Sequence, residues 1–357
     1  MMFGLSRLRA TASAPSIEVK GDTSFCARRP AMLIAMMAVL LCMLTAISLF
    51  IGSRDISITT TLDALLQFDD TNSQHLLVHY LRVPRTFIAL FVGAALGASG
   101  VIMQAITRNP LAEPGILGVN AGAMVAIVAG IALLGWTQMH HYLWLGLVGA
   151  GLAGFLVYLL AGIGRTFHPV KVVLAGAAMT VVLLSLTQII TLNSHVEVFN
   201  QFRHWAVGSL QGRGYDVLWP TAIIVSIGLI LAFCLASALD TVVLGNDVGK
   251  SLGANPLRVW IGASGVVILL AGTATAAAGP ISFLGLTAPH LARFAVGNEH
   301  RWLLPFAMLL ASVLLLASDI AGRVIGHPGE ISVGIMVALL GGPFFVVLVR
   351  RWKLSEL

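Results

Sequence analysis

"LRVPRTFIALFVGAALGASGVIMQAITRN" (residues 81–109) carries arginine near both ends, at 82, 85 and 108, with no charged residue between Arg85 and Arg108. Its apolar part, 85–106, has the length a helix needs to cross the hydrocarbon core of a bilayer, roughly 20 residues. A chain of 357 residues would ordinarily divide into about two or three soluble domains. Composition forbids that: 58% of residues are hydrophobic, 10% are charged, and the mean hydropathy is +0.93. So little polar surface cannot cover a soluble core of this size.

Similar apolar runs lie near 31–51, 116–135, 143–163, 170–192, 217–239, 258–278, 302–322 and 331–349. A Gly/Pro-interrupted stretch, "GPISFLGLTAPHLARFAVG" (279–297), makes a tenth, broken crossing. The expected fold class is an all-α membrane protein of about ten transmembrane helices, with one membrane domain over 31–350. Residues 1–30 read as a polar, flexible tail and 351–357 as a short C-terminal one. The first run is too long for a signal h-region and is expected to be retained. Segment 52–81 is too polar to span and is expected outside, with a short surface helix around 59–67.

With the N-terminus inside, only Arg54, Arg82, Arg85, Arg203, Arg213 and Arg323 fall outside, leaving fifteen of the 21 Lys and Arg at inner ends. The positive-inside rule then puts both termini in the cytoplasm. The net charge of +6 comes from these flanks and forms no dense basic stripe of the kind that reads nucleic acid. The cysteines, Cys26, Cys42 and Cys234, are far apart and show no metal or disulfide spacing. Gly93/Gly97 and Gly118/Gly122 recur at the four-residue spacing of close helix packing.

One inner connection, 240–257, holds "LGNDVGKSLG" (244–253), which comes near the phosphate-loop pattern G-x-x-x-x-G-K-[ST] but has one residue too few between its glycines. It also lacks the flanking strand and soluble helix that a phosphate loop needs. Gly245, Gly249 and Gly253 recur every four residues, and Asn255-Pro256 marks a break. A compact helical knob with close-approach glycines suits docking into a partner's groove; an idle structured loop is the alternative.

Several stretches together closely resemble the membrane subunits of type II ABC importers for iron–siderophore complexes and vitamin B12. They are residues 81–123, the stretch 244–253, "GPISFLGLTAPHLARFAVGNEHRWLLP" and "DIAGRVIGHPGEISVGIMVALLGGPFF". They occur in the family's order, and the match covers nearly the whole chain after residue 31. Within the family the sequence looks most like the ferric-enterobactin-type permeases. The resemblance implies two membrane subunits around one pathway in the bacterial inner membrane. It also implies two separate ATPase subunits, which bind ATP and Mg, and a periplasmic or lipid-anchored binding protein. This chain would itself hold no cofactor or metal and have no catalytic residue.

The resemblance also assigns residues. It makes Gly245, Asp247, Gly249, Lys250, Leu252 and Gly253 the region seated in an ATPase cleft. It gives Arg82, Arg85 and Arg323 a role in meeting carboxylates of the binding protein. Arg82 and Arg85, at i and i+3, share a helix face. Snorkelling to headgroups and an Asp319–Arg323 pair at i,i+4 are the competing readings. Arg203 and Arg213 are weaker candidates. The pathway would be lined by 170–192 and 331–349, where Thr180, Ser185, Gln188 and Ser332 are the polar candidates. No charge stands mid-span in either, which argues against ion- or proton-coupled transport. The turn "RTFHPVK" (165–171) takes the cytoplasmic gate position, with Phe167 and His168 as plugs, or is simply a tight turn.

His75 and His79 have ligand spacing in an outer loop, and His290 follows Pro289; neither carries a metal reading, because a siderophore already saturates its iron. A gradient-driven secondary transporter is the second functional reading, and an intramembrane enzyme lacks any catalytic constellation. Catecholate or hydroxamate siderophore, haem and cobalamin all remain open as cargo.

Overall fold

The computed structural model describes residues 23–162, 169–245, 249, 251 and 255–351, and these are helical throughout apart from their connections. Helix α1 is Thr23–Phe50, α2 Ile58–Leu66 and α3 Ser73–Leu77. A π-helical turn, Val78–Arg82, runs directly from α3 into α4, Val83–Thr107. After a 3₁₀ turn at Pro114–Leu117 come α5, Val119–Leu134, α6, Met139–Ala161, and α7, Pro169–Leu192. Then follow α8, Val196–Ala206, and α9, Tyr215–Val243. The chain closes with α10, Pro256–Ala278, α11, Leu284–Val296, α12, His300–Ile325, and α13, Val333–Arg351.

Among the described residues, seven helices are long and apolar enough to cross a membrane, and Val119–Leu134 and Val333–Val347 are apolar but shorter. The expected runs are therefore all helical, but they are not equal. Segment 279–297 divides as its Gly/Pro content implies: residues 279–283 leave the helix, and α11 supplies only thirteen residues. Phe283 adopts φ 67° at the break, a left-handed conformation uncommon for a large side chain. The surface helix expected around 59–67 is α2, capped by Ser57, whose side chain accepts from the Thr60 amide. Helix α1 reaches back to Thr23, into the segment read as tail, and carries Pro30 inside it. Helix α8 was not anticipated in segment 193–216. It buries Phe202 and Trp205 and leaves Val196 exposed.

Helix α4 is the hub, with α9, α10, α11 and α12 packed around it. Small residues make this possible. A Cβ at Gly100 would sit 1.9 Å from the Gly285 carbonyl oxygen, and one at Gly97 2.5 Å from the Ala307 oxygen. At the α5–α6 contact, Gly122 and Gly149 approach each other equally closely, with virtual Cβ distances of 2.4 and 2.3 Å to the opposing carbonyl oxygens. In lipid there is little hydrophobic drive between helices, so such backbone approach and interhelical hydrogen bonds hold the bundle. The Trp260 indole donates to Ile106 O at 3.0 Å, and Thr275 Oγ1 to Asn120 Oδ1 at 2.8 Å.

Helices α7 and α13 behave differently. Val170, Leu174, Val181, Val182, Ile189 and Leu192 of α7 are exposed, as are Ile335, Leu339, Leu340, Val346 and Val347 of α13.

Candidate functional site

At the end of the bundle where α1 stops and α4 starts, four arginines gather around a cavity of about 290 Å³, lined by Arg54, Arg82, Arg85, Arg323 and Glu330 among others. The last carbonyls of α1 have no intrahelical partner, as at any helix end. Arg82 supplies them: Nη1 donates to Leu49 O (3.2 Å) and Phe50 O (2.9 Å), while Nη2 donates to Arg54 O (2.6 Å). Arg323 adds bonds to Ser48 O (2.9 Å) and Ile51 O (2.8 Å) and pairs with Asp319. Arg85 donates to both oxygens of Asp319 and, through Nη1, to Glu330 Oε2 at 2.7 Å. Asp319 is thereby fully desolvated between two guanidinium groups, the geometry in which a buried carboxylate is tolerated.

These are the three arginines expected to face a partner's carboxylates. The structure brings them to one place, but Arg82 and Arg323 are only 7% and 2% exposed, and all three are engaged within the chain. The Asp319–Arg323 pair anticipated as a competing reading is present. Arg54 also lines the cavity, and it is exposed. Arg203 is exposed on α8 with its guanidinium 5.8 Å from the Phe199 ring centre. Arg213 is buried against the Met139 sulfur.

In the connection between α9 and α10, Gly245 and Gly249 are described, whereas Asp247, Lys250, Leu252 and Gly253 lie outside the described residues. The Gly249 amide donates to Gly245 O at 2.9 Å, a helical turn of the kind expected. Gly249 is buried, and a Cβ there would lie 3.3 Å from the Thr241 carbonyl oxygen of α9. Close by, Asp240 meets the ring of His300 at 2.5 Å and its amide at 3.1 Å, tying α9 to the start of α12. Phe167 and His168 lie outside the described residues.

Along α7 the polar candidates turn inward on their own helix. Thr180 Oγ1 donates to Gly176 O (2.8 Å) and Ser185 Oγ to Val181 O (2.9 Å), and Thr187 and Thr191 do likewise. Gln188 is exposed, and Ser332 sits at the start of α13, where its carbonyl accepts the Ile335 amide. A hydroxyl satisfied by its own backbone offers little to a passing polar ligand. The exposed face of α7 is therefore mostly apolar, with Gln188 as its exposed amide.

His75 Nδ1 accepts the Asp69 amide at 3.2 Å, and His79 packs among Phe68, Tyr80 and Tyr215. Among the described residues no group of three or more His, Cys, Asp or Glu is placed to hold a metal ion.

Sequence reasoning missed Glu330 and the Arg85–Asp319 contact, since nothing local links positions so distant in the chain. It also missed the buried Gln104–Arg293 bond near the inner end of α4. Only the i,i+4 spacing of Asp319 and Arg323 was legible.

A bundle of apolar helices with an arginine-lined cavity at one end, a glycine-rich connection between α9 and α10 and two largely uncovered apolar helices defines a multi-span membrane transport protein. The chain belongs to the FecCD transport family, whose model matches residues 40–351. It is 41% identical over 315 residues to the ferric enterobactin transport system permease protein FepD of Escherichia coli (strain K12), covering 87% of this chain and 93% of that protein. It is 38% identical over 308 residues to the Fe(3+)-citrate import system permease protein YfmD of Bacillus subtilis (strain 168), covering 86% and 91%. A solved structure described as an inward-facing conformation of a metal-chelate type ABC transporter superposes with a TM-score of 0.79 at 26% identity. That superposition covers 90% of this chain and all of the other. The family resemblance drawn from the sequence motifs is thus borne out.

Proposed function

We propose that this chain is the membrane-spanning permease subunit of an ATP-driven importer that takes up an iron–siderophore complex of the ferric-enterobactin kind. It crosses the bacterial inner membrane ten times with both termini in the cytoplasm, α5, α11 and α13 serving as the three shorter crossings. It works beside a second permease, identical or homologous. Two ATPase subunits bind ATP and Mg and contact the inner segment around Gly245 and Gly249. A binding protein delivers the chelate to the outer face, where its carboxylates meet the arginine-lined cavity.

The observation that carries this reading is the family match over 40–351 together with 41% identity to the ferric enterobactin relative. The mostly apolar surface of α7, whose hydroxyls bond to their own helix, supports it physically: a bulky chelate is moved by closure of a slippery passage, with no charged group binding it tightly. The citrate relative at 38% identity keeps ferric citrate as the second candidate cargo.

The test is reconstitution of the chain with its neighbouring ATPase and binding protein in vesicles, with uptake of ferric enterobactin and ferric citrate compared. ATP-dependent uptake of the former is expected, unaffected by collapse of ion gradients. Uptake that follows an ion gradient without ATP would return the reading to a secondary transporter.

A further inference from the structure

Loop 108–118, which joins α4 to α5, touches the end of α9 at one end, bears on α7, and meets the start of α11, whose Phe283 lies against α13. Arg108 opens it in the left-handed conformation, φ 51°. Its Nε donates to Val242 O at 3.1 Å. The same oxygen accepts the Gly245 amide at 3.2 Å, and Gly245 O in turn accepts the Gly249 amide. A single carbonyl therefore carries both the first hydrogen bond of the inner segment and the Arg108 guanidinium.

At the other end, the Glu113 carboxyl group lies beside the Phe283 backbone. Phe283 starts α11, which has no side-chain cap of its own. The two segments pack closely there, since a Cβ on Gly285 would lie 3.0 Å from Pro114 Cδ. The Phe283 side chain in turn lies against α13: a Cβ at Gly341 would be 2.7 Å from Phe283 Cβ, and the Phe345 ring is 6.4 Å away centre to centre. Between these ends the loop presses on α7, because a Cβ at Gly176 would sit 1.9 Å from Ile116 O.

The loop is itself stiff. Leu111 N donates to Asn109 Oδ1 (2.9 Å), Ala112 N to Asn109 O (3.0 Å), Ile116 N to Glu113 O (3.1 Å) and Gly118 N to Gly115 O (2.9 Å). Pro110 and Pro114 fix two further φ angles. A short, internally bonded body in contact with three elements moves with whichever of them moves, which is the physical requirement for carrying a displacement between sites.

We propose that loop 108–118 transmits movement of the inner segment to α7 and α13, with Arg108 and Glu113 as the positioning residues at its two ends. This rests on the reading of the inner segment as the ATPase contact. Arg108 ties the loop to the carbonyl from which that segment departs. Glu113 ties it to the residue whose ring bears on α13. Arg108 precedes both branches and Glu113 lies on the branch to α13, so losing Arg108 already disconnects what losing Glu113 disconnects.

The experiment uses the full complex in vesicles and measures chelate delivered per ATP hydrolysed, together with ATPase co-purification and thermal unfolding of each variant. Arg108→Gly is the first variant, because glycine adopts the left-handed conformation freely and the side chain is lost without added backbone strain. The complex should still assemble and hydrolyse ATP, with delivery per ATP lower by about tenfold, the equilibrium value of one charge-assisted hydrogen bond. Arg108→Lys should recover part of the loss. Glu113→Ala should behave like Arg108→Gly, and Glu113→Gln, which keeps an acceptor, should be milder. The double variant Arg108→Gly/Glu113→Ala should be no worse than the poorer single, as for two members of one path.

A normal delivery ratio in both single variants, or fully additive losses in the double, overturns the proposal. So does a loss of delivery that merely tracks a lower unfolding temperature. Co-purification separates this from the underlying docking reading. Gly249→Trp should lose the ATPase while Arg108→Gly keeps it. Retention by Gly249→Trp defeats the docking reading, and loss by Arg108→Gly makes Arg108 a direct contact and defeats transmission.

Discussion

Arg85 and Asp319 meet at 2.7 Å although 234 residues separate them, joining the first turn of α4 to the last turns of α12. Asp319 also pairs with Arg323, and Arg85 also pairs with Glu330 at 2.7 Å in the connection leading to α13. At this end of the bundle α4, α12 and the connection to α13 are thus held by one buried carboxylate and its neighbours. Removing the centre of such a cluster leaves the buried Arg323 guanidinium without its carboxylate and Arg85 with Glu330 alone. Asp319→Ala should therefore destabilise the protein by about 3–5 kcal/mol, the usual cost of stranding a buried charge. Glu330→Gln, at the edge of the cluster, should cost far less. Thermal unfolding in detergent checks both, and equal effects would mean that the cluster has no centre.

The same cluster changes what is expected of the outer arginines. Arg82 and Arg85 are occupied inside the chain, so reversing them breaks the fold before it tests docking. Arg54 lines the same cavity and is exposed, with its charge free of internal ion pairs among the described residues. Rim charges set encounter rate and orientation, and they are screened by salt. Arg54→Glu should slow association of the binding protein and flatten its salt dependence, leaving the unfolding temperature unchanged. Arg85→Glu should lower both association and stability. Association kinetics with the purified binding protein decide the matter, and an unaltered on-rate for Arg54→Glu removes the cavity from the docking surface.

The bundle was legible in the sequence because a membrane span needs a long uninterrupted apolar run, and each run is a local property of the chain. The break at 279–283 was legible for the same reason, since Gly279 and Pro280 write it locally. What could not be read were the partners of polar groups. Arg85 pairs with residues far along the chain, and Arg82 bonds to carbonyls, which have no sequence signature. Helix α8 is amphipathic and half polar, so a search for apolar runs passes over it, although the spacing of Phe199, Phe202 and Trp205 carries a helical period.

Gly249 is buried, with Thr241 O only 3.3 Å from where its Cβ would be. An alanine there asks the neighbour to give by a few tenths of an ångström, whereas an indole has no room on that side and must project outward. Gly249→Ala should transport near normally. Gly249→Trp should insert and fold yet lose the ATPase and transport. Co-purification with the ATPase after gentle solubilisation checks this, and a Trp variant that imports normally would place the docking surface elsewhere.

Gly100 sits at the tightest backbone crossing in the core, where α4 meets the start of α11. The Gly285 carbonyl carbon and oxygen lie 2.7 and 1.9 Å from the position of a Cβ. Both neighbours are backbone, so no rotamer change relieves the clash, and the two helices must separate. Inserting even one methyl group into a packed core costs about 1–3 kcal/mol, and a backbone obstacle puts this site at the upper end. Separation also moves α11 away from the loop that carries Glu113, next to Phe283. Gly100→Ala should therefore lower the unfolding temperature and impair transport together. Gly265→Ala, in α10 with nothing within 4 Å of its virtual Cβ, should leave transport unchanged and should not lower the unfolding temperature. In a helix interior it should even stabilise slightly, because alanine is favoured over glycine there by about 1 kcal/mol. The paired unfolding and uptake measurements separate the two sites. Equal behaviour of the two alanines would show that the α4–α11 crossing is looser than its backbone distances require.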